Sequence, residues 1–199
     1  MSLHNTVKIT ILFGLSFWMG QLAFAQKKTD PRFYVELEPL QFLNQGWSLV
    51  GHVAIQPRLQ IGTNVFSSQL SEGLAGLAFN FSDELNLLAK QELGINVSMR
   101  YFLKKQDVQQ GWVVSLPVGW ENWTLSDRET GQEAVYQFGY LSPRIGYVWY
   151  PFSKANLYVL GEAVAILPII QDDPVQLDKG EVSVRSFIPF PGLGIGYSF

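Results

Sequence analysis

The sequence predicts an all-β fold, an eight-stranded antiparallel up-and-down β-barrel that crosses a membrane. Three observations carry that expectation. Segments of roughly eight residues or more alternate large apolar residues with small or polar ones, the period of a strand with two unlike faces. The connections between them alternate between short and longer, as in a barrel with tight turns on one side and loops on the other. Composition is the third. Aromatic residues make up 14% of the 199-residue chain and charged residues only 16%, well under the usual quarter. Mean hydropathy is a modest +0.10, as expected when outward apolar and inward polar residues average out.

The N-terminus reads as an export signal. Lys8 precedes an apolar run over 9–19, and the stretch closes on Ala23-Phe24-Ala25. A charged start, an apolar middle and a small-x-small site make a cleavable secretory signal over 1–25, leaving a single barrel domain over 26–199. The run is short for a helical span of about 20 residues. Beyond it no comparably long apolar stretch remains, so helical anchoring is not expected. Cysteine is absent, so disulfides contribute nothing even in an oxidising compartment. The net charge of −3 comes without a basic cluster, which argues against a nucleic-acid partner.

Strands are expected over 33–40, 47–54, 58–66, 92–104, 112–124, 138–150, 155–167 and 184–199. The first sets Val35 and Leu37 against Glu36 and Glu38. The second turns Trp47, Leu49 and Val53 outward, and the third Leu59, Ile61 and Val65. The fourth alternates most cleanly, with Leu93, Ile95, Val97, Met99, Tyr101 and Leu103 against Gly94, Asn96, Ser98 and Arg100. In the seventh, Tyr158 and Leu160 share a face with Glu162. Connections over 55–57, 105–111 and 151–154 are short. Those over 67–91, 125–137 and 168–183 are long, and the first of that set, 41–46, is short. A short helical turn is expected within 82–93, with Leu85, Leu88 and Ala89 on one side. Pro39, Pro117, Pro143 and Pro189 fall in strand-like segments, where proline is awkward except at edges and bulges.

In hydrocarbon every backbone N–H and C=O needs an internal partner, so the sheet has to close on itself. Aromatics at strand ends then suit two interfacial belts: Phe33, Tyr101, Trp112, Tyr147, Trp149, Tyr197 and Phe199 at one rim, Trp47, Trp120 and Phe187 near the other. Parity turns Glu36, Glu38, His52, Arg58, Arg100, Glu121, Arg144 and Glu162 inward. A small barrel is filled by side chains, and buried charges there must pair. The expectation is therefore a lumenal charge network of three arginines and four glutamates, which plugs the lumen.

The chain ends Gly194-Ile195-Gly196-Tyr197-Ser198-Phe199. Gly194, Tyr197 and Phe199 resemble the C-terminal assembly signal of bacterial outer-membrane β-barrels, with Gly192 where that family usually has a polar residue. The stretches Glu38-Pro39-Leu40, Gly46-Trp47-Ser48-Leu49, Tyr101-Phe102 and the terminal Gly196-Tyr197-Ser198-Phe199 are similar to uncharacterised outer-membrane β-barrel proteins of Gram-negative bacteria, of the OmpA-transmembrane or OmpX-like kind. The resemblance implies an outer-membrane location, lipid and the barrel-assembly machinery as partners, a surface partner at the external loops, and no catalytic, cofactor or metal residues.

Chemistry-bearing motifs are sparse. After the signal only His52 remains, too few for a multi-histidine metal site. Ser48 and His52 share a face, but four residues along a strand is roughly 13 Å, too far for a nucleophile–base pair. Two other functions stay open: a soluble periplasmic lipocalin-like carrier of a small apolar ligand, and an outer-membrane lipid-modifying enzyme.

Overall fold

The computed structural model describes residues 33–104, 109–152 and 155–199; the signal-peptide expectation lies outside them. The chain is all-β apart from two short helices. In order it forms β1 (Phe33–Leu37), α1 (Pro39–Leu43), β2 (Trp47–Gln56), β3 (Leu59–Leu70), α2 (Glu72–Ala78), β4 (Phe79–Asn80) and β5 (Leu87–Phe102). There follow β6 (Gly111–Ser115), β7 (Val118–Asp127), β8 (Glu133–Leu141), β9 (Arg144–Trp149), β10 (Leu157–Gln171), β11 (Val175–Leu177), β12 (Gly180–Val184) and β13 (Ile188–Ser198).

Every pairing is antiparallel. From β1 the order passes through β2 and β3 to β5. Strand β5 pairs with β6 at one end and β7 along the rest, β6 with β9, and β7 with β8. Strand β10 takes both β8 and β9 on one edge and β13 on the other, and β13 returns to β1. The pairings thus form a ring. Counting β6/β7 and β8/β9 each as one interrupted strand, it has eight positions, with sequence neighbours as spatial neighbours.

The two interruptions explain two prolines. Leu116-Pro117 lies opposite Ser142-Pro143, where the ladder would otherwise need proline N–H groups. The Ser142 amide donates to the Pro117 carbonyl at 2.8 Å, Leu116 to Met99 at 3.0 Å and Ala165 to Pro143 at 3.1 Å. The wall stays hydrogen-bonded across the break. Pro39 instead begins α1, where its missing N–H costs nothing. Strand β1 therefore ends at Leu37, short of the expected 40.

The faces are inverted relative to a soluble sheet. Along β5, Leu93, Ile95, Val97, Met99 and Tyr101 are exposed, while Asn96, Ser98 and Arg100 are buried. Phe33, Trp47, Trp112, Trp120, Tyr147, Trp149 and Phe187 are likewise exposed. Inside, Tyr34, Phe102, Val113, Val148, Tyr158 and Leu160 fill the end near the C-terminus. A larger apolar cluster occupies the other end.

That second end corrects several sequence expectations. The helical turn expected within 82–93 is absent. Leu85, Leu87, Ala89 and Gln91 are buried at strand period, and the helix comes earlier, as α2. A bulge between Gln91 and Leu93 switches the inward parity of β5, which masks the alternation in sequence. The 125–137 connection is a tight turn. The Asp127 amide donates to the Gln132 carbonyl, its carboxylate accepts from the Glu129 amide, and Gly131 takes φ +73. In 168–183, β10 continues to Gln171 and β11 and β12 follow. Strands β11, β12 and β4 form a separate three-stranded sheet. Its Phe79, Leu177, Val182 and Val184 pack with Leu85 and Leu87 and with the wall residues Trp123, Tyr136 and Phe138. The connections at this end thus form a cap with its own core.

Candidate functional site

Between the two apolar ends lies a polar layer. Arg100 reaches across the interior to Glu36 through two parallel hydrogen bonds of 2.9 and 3.0 Å. The Tyr158 hydroxyl donates to the same carboxylate at 3.1 Å. Both partners of the ion pair are buried, so the fork geometry and the third donor offset a desolvation cost that a single contact would not. Gly194 makes room for this pair, since a Cβ there would lie 2.7 Å from the Glu36 carboxyl carbon. Glycine at the C-terminal motif has a packing reason in this fold.

Arg144 is held more loosely, 3.4 Å from Glu162 and 3.7 Å from Glu38. Glu38 also accepts from Ser48 at 2.6 Å and from Asn64 at 3.1 Å. Glu121 accepts from the Trp123 indole at 2.9 Å. Arg58 stands apart from these groups. It sits in the turn before β3, half-buried, and donates to the hydroxyl of the outward-facing Tyr101 at 3.3 Å. Parity along the strand does not extend into a turn, so the inward position expected for Arg58 does not hold.

His52 meets Ser98, not Ser48: its Nε2 lies 3.1 Å from the Ser98 hydroxyl. The pair forms because His52 is opposite Gly62 and Gly62 is opposite Ser98 in the ladder, so the imidazole crosses a residue without a side chain. Its Nδ1 has no hydrogen-bond partner among the described residues, so no carboxylate orients the ring as a catalytic triad requires. Of the residues expected to form an assembly signal, Tyr197 pairs with Leu157 on β10 and Val35 on β1. Its ring meets that of Phe199 edge-on at 4.9 Å.

Above the polar layer is a cavity of about 120 Å³, partly open to the outside. Glu38, Glu121 and Arg144 lie at its floor, and Leu70, Leu74 and Ala78 at its cap side. Leu40, Gln41, Phe190 and Leu193 line its flank. The side-chain oxygen of Gln41 is buried there with no hydrogen-bond donor among the described residues. Sequence reasoning placed Ser98 on the inward face but not beside His52, and missed Gln41 and Trp123 as interior groups. Apolar Leu74, Leu77 and Ala78, within a stretch read as an external loop, were the visible sign of a cap.

No family model matches the chain, and no curated protein matches it. Among solved structures it is similar to the crystal structure of Ail, the attachment invasion locus protein of Yersinia pestis, in complex with the heparin analogue sucrose octasulfate. That likeness has 11% identity and a TM-score of 0.39, and covers 84% of this chain and 94% of that one. It is too distant to assign a family.

Proposed function

We propose that this chain is an integral outer-membrane protein, exported with its N-terminal 25 residues as a cleaved signal. In this reading it is an eight-stranded transmembrane β-barrel with an ionic, side-chain-filled waist and an external cap that carries interaction with the surroundings. The observation that carries the proposal is the inversion of faces in a closed ring. Leu, Ile, Val and Trp side chains point out, while Glu36, Arg100, Asn96 and His52 are enclosed. Closure satisfies the backbone where no water is present, and an apolar outer band is what acyl tails solvate. A soluble lipid carrier needs the opposite polarity, with a greasy interior and a charged exterior.

Gly194, Tyr197 and Phe199 serve as the assembly signal in this reading, with the barrel-assembly machinery as the transient partner. The cap, built by α2, β4, β11 and β12, would present the surface to an external partner. No enzymatic role is proposed for His52, because its ring lacks an orienting acid among the described residues and the space beside it is only about 10 Å³.

Fractionation of the native protein tests the proposal. It should partition with the outer membrane, need detergent for extraction, and run faster on gels unheated than boiled. Monodisperse behaviour in detergent-free buffer would overturn it.

A further inference from the structure

The ring is not evenly closed. Strand β1 pairs with β13 only over Leu37↔Ile195 to Tyr34↔Ser198, and with β2 only over Glu36↔Val50 to Phe33↔Val53. Above that level residues 188–194 of β13 and 47–49 of β2 have no strand between them. Pro189 and Pro191 occur on this stretch, contributing no N–H at an edge where proline is tolerated. What stands in the gap is α1, five residues long, none of them buried, with Phe42 and Leu43 exposed. The cavity reaches this seam, since Leu40 and Gln41 of α1 and Phe190, Pro191 and Leu193 of β13 all line it.

We propose that the cavity takes up the alkyl chain of a single-chain amphiphile from the surrounding bilayer, entering sideways through the seam beside α1, with a polar end that donates hydrogen bonds. This rests on the membrane reading above. The chain is called for by the wall: Leu70, Leu74, Phe66, Phe138 and Ile188 offer apolar contact on the cap side. The polarity of the other end follows from the floor. On the floor two carboxylates, Glu38 and Glu121, face one guanidinium group, Arg144, so acceptors are in excess. The side-chain amide oxygen of Gln41 is buried at the seam itself with no donor among the described residues. A hydroxyl or ammonium end is complementary to that set, and a carboxylate end is repelled by it.

The test uses the full protein in phosphatidylcholine nanodiscs with a diazirine-bearing hexadecanol as probe. Crosslinks are mapped by peptide mass spectrometry. Labelling of Leu74 and Phe138 is expected, reduced about tenfold by excess unlabelled hexadecanol and by L74W, which fills the cavity. Competition in the unaltered protein keeps the test decisive should L74W fail to fold. Labelling confined to outward residues such as Ile95 and Met99 would overturn this inference while leaving the membrane reading intact. Labelling of Leu74 and Phe138 without the outward residues would overturn the membrane reading and with it the sideways route. Absence of both sets would overturn both. Equal labelling by the matching hexadecanoic acid would overturn the assigned polarity of the end group.

Discussion

Two of the places where prolines enter the wall are handled in opposite ways. At Pro117 and Pro143 neighbouring strands break side by side, and three backbone hydrogen bonds from Ser142, Leu116 and Ala165 join the flanking segments. At Pro189 and Pro191 the neighbouring strand has already ended, and a short helix without a buried residue lies in its place. The side chains enclosed near each region follow the same division. Toward the C-terminal end, where β1 completes the ring, Arg100 and Glu36 are locked in a buried bidentate pair. On the cavity floor Arg144 makes longer contacts of 3.4 and 3.7 Å and is partly exposed. A barrel wall can therefore carry prolines as closed breaks or as an opening, and which one results depends on whether a partner strand runs past them.

The largest expected effect separates the two arginines. R100L strands Glu36 in a closed interior, and a loss of about 3–5 kcal/mol is expected for removing one partner of a buried pair. R144L, beside the opening, should lose less than half of that. Urea unfolding of the refolded protein in detergent measures both, and equal losses would erase the distinction between closed and open halves. Next comes S142P, which removes the amide that bridges the closed break. Leaving the Pro117 carbonyl without its donor should cost about 1–3 kcal/mol in the same assay. The smallest effect is expected at the seam itself. P191A restores an N–H on an edge with no strand beside it, and should change stability by less than about 1 kcal/mol. A larger loss would mean that the seam is packed as tightly as the rest of the wall.

Much of this was legible in the sequence, and the illegible parts have physical causes. Period-two alternation in 92–104 gave away the outward and inward faces of β5, because no bulge falls among Gly94, Asn96, Ser98 and Arg100. The same strand was misread at its start. The bulge at Gln91 shifts parity, so Leu85, Leu88 and Ala89 resemble a helical stripe when taken alone. The interior carboxylates were visible by parity, but their partners were not, since Glu36 and Arg100 are 64 residues apart. Only the register of β1, β2, β3 and β5 brings them together. Arg58 fell one residue outside its strand, where parity says nothing. The seam could not be read at all. It arises from Pro39 ending β1 early while its neighbours continue, which is a difference between strands and not a property of any one of them.

The cap has a consequence for the order of events during folding. Ser183 and Val184 of β12 pair with Asn80 and Phe79 of β4, and the Ser82 hydroxyl donates to the carbonyl of Lys179, 97 residues away. Contacts of such sequence separation are slow to form unless the intervening chain has already been drawn together. Residues between them supply the staves from β5 to β10, so fastening the lid costs least once those staves stand. A molecule with its lid in place is thereby one whose middle staves, β5 to β10, have been drawn together, while β13, which closes the ring on β1, lies beyond the lid in sequence.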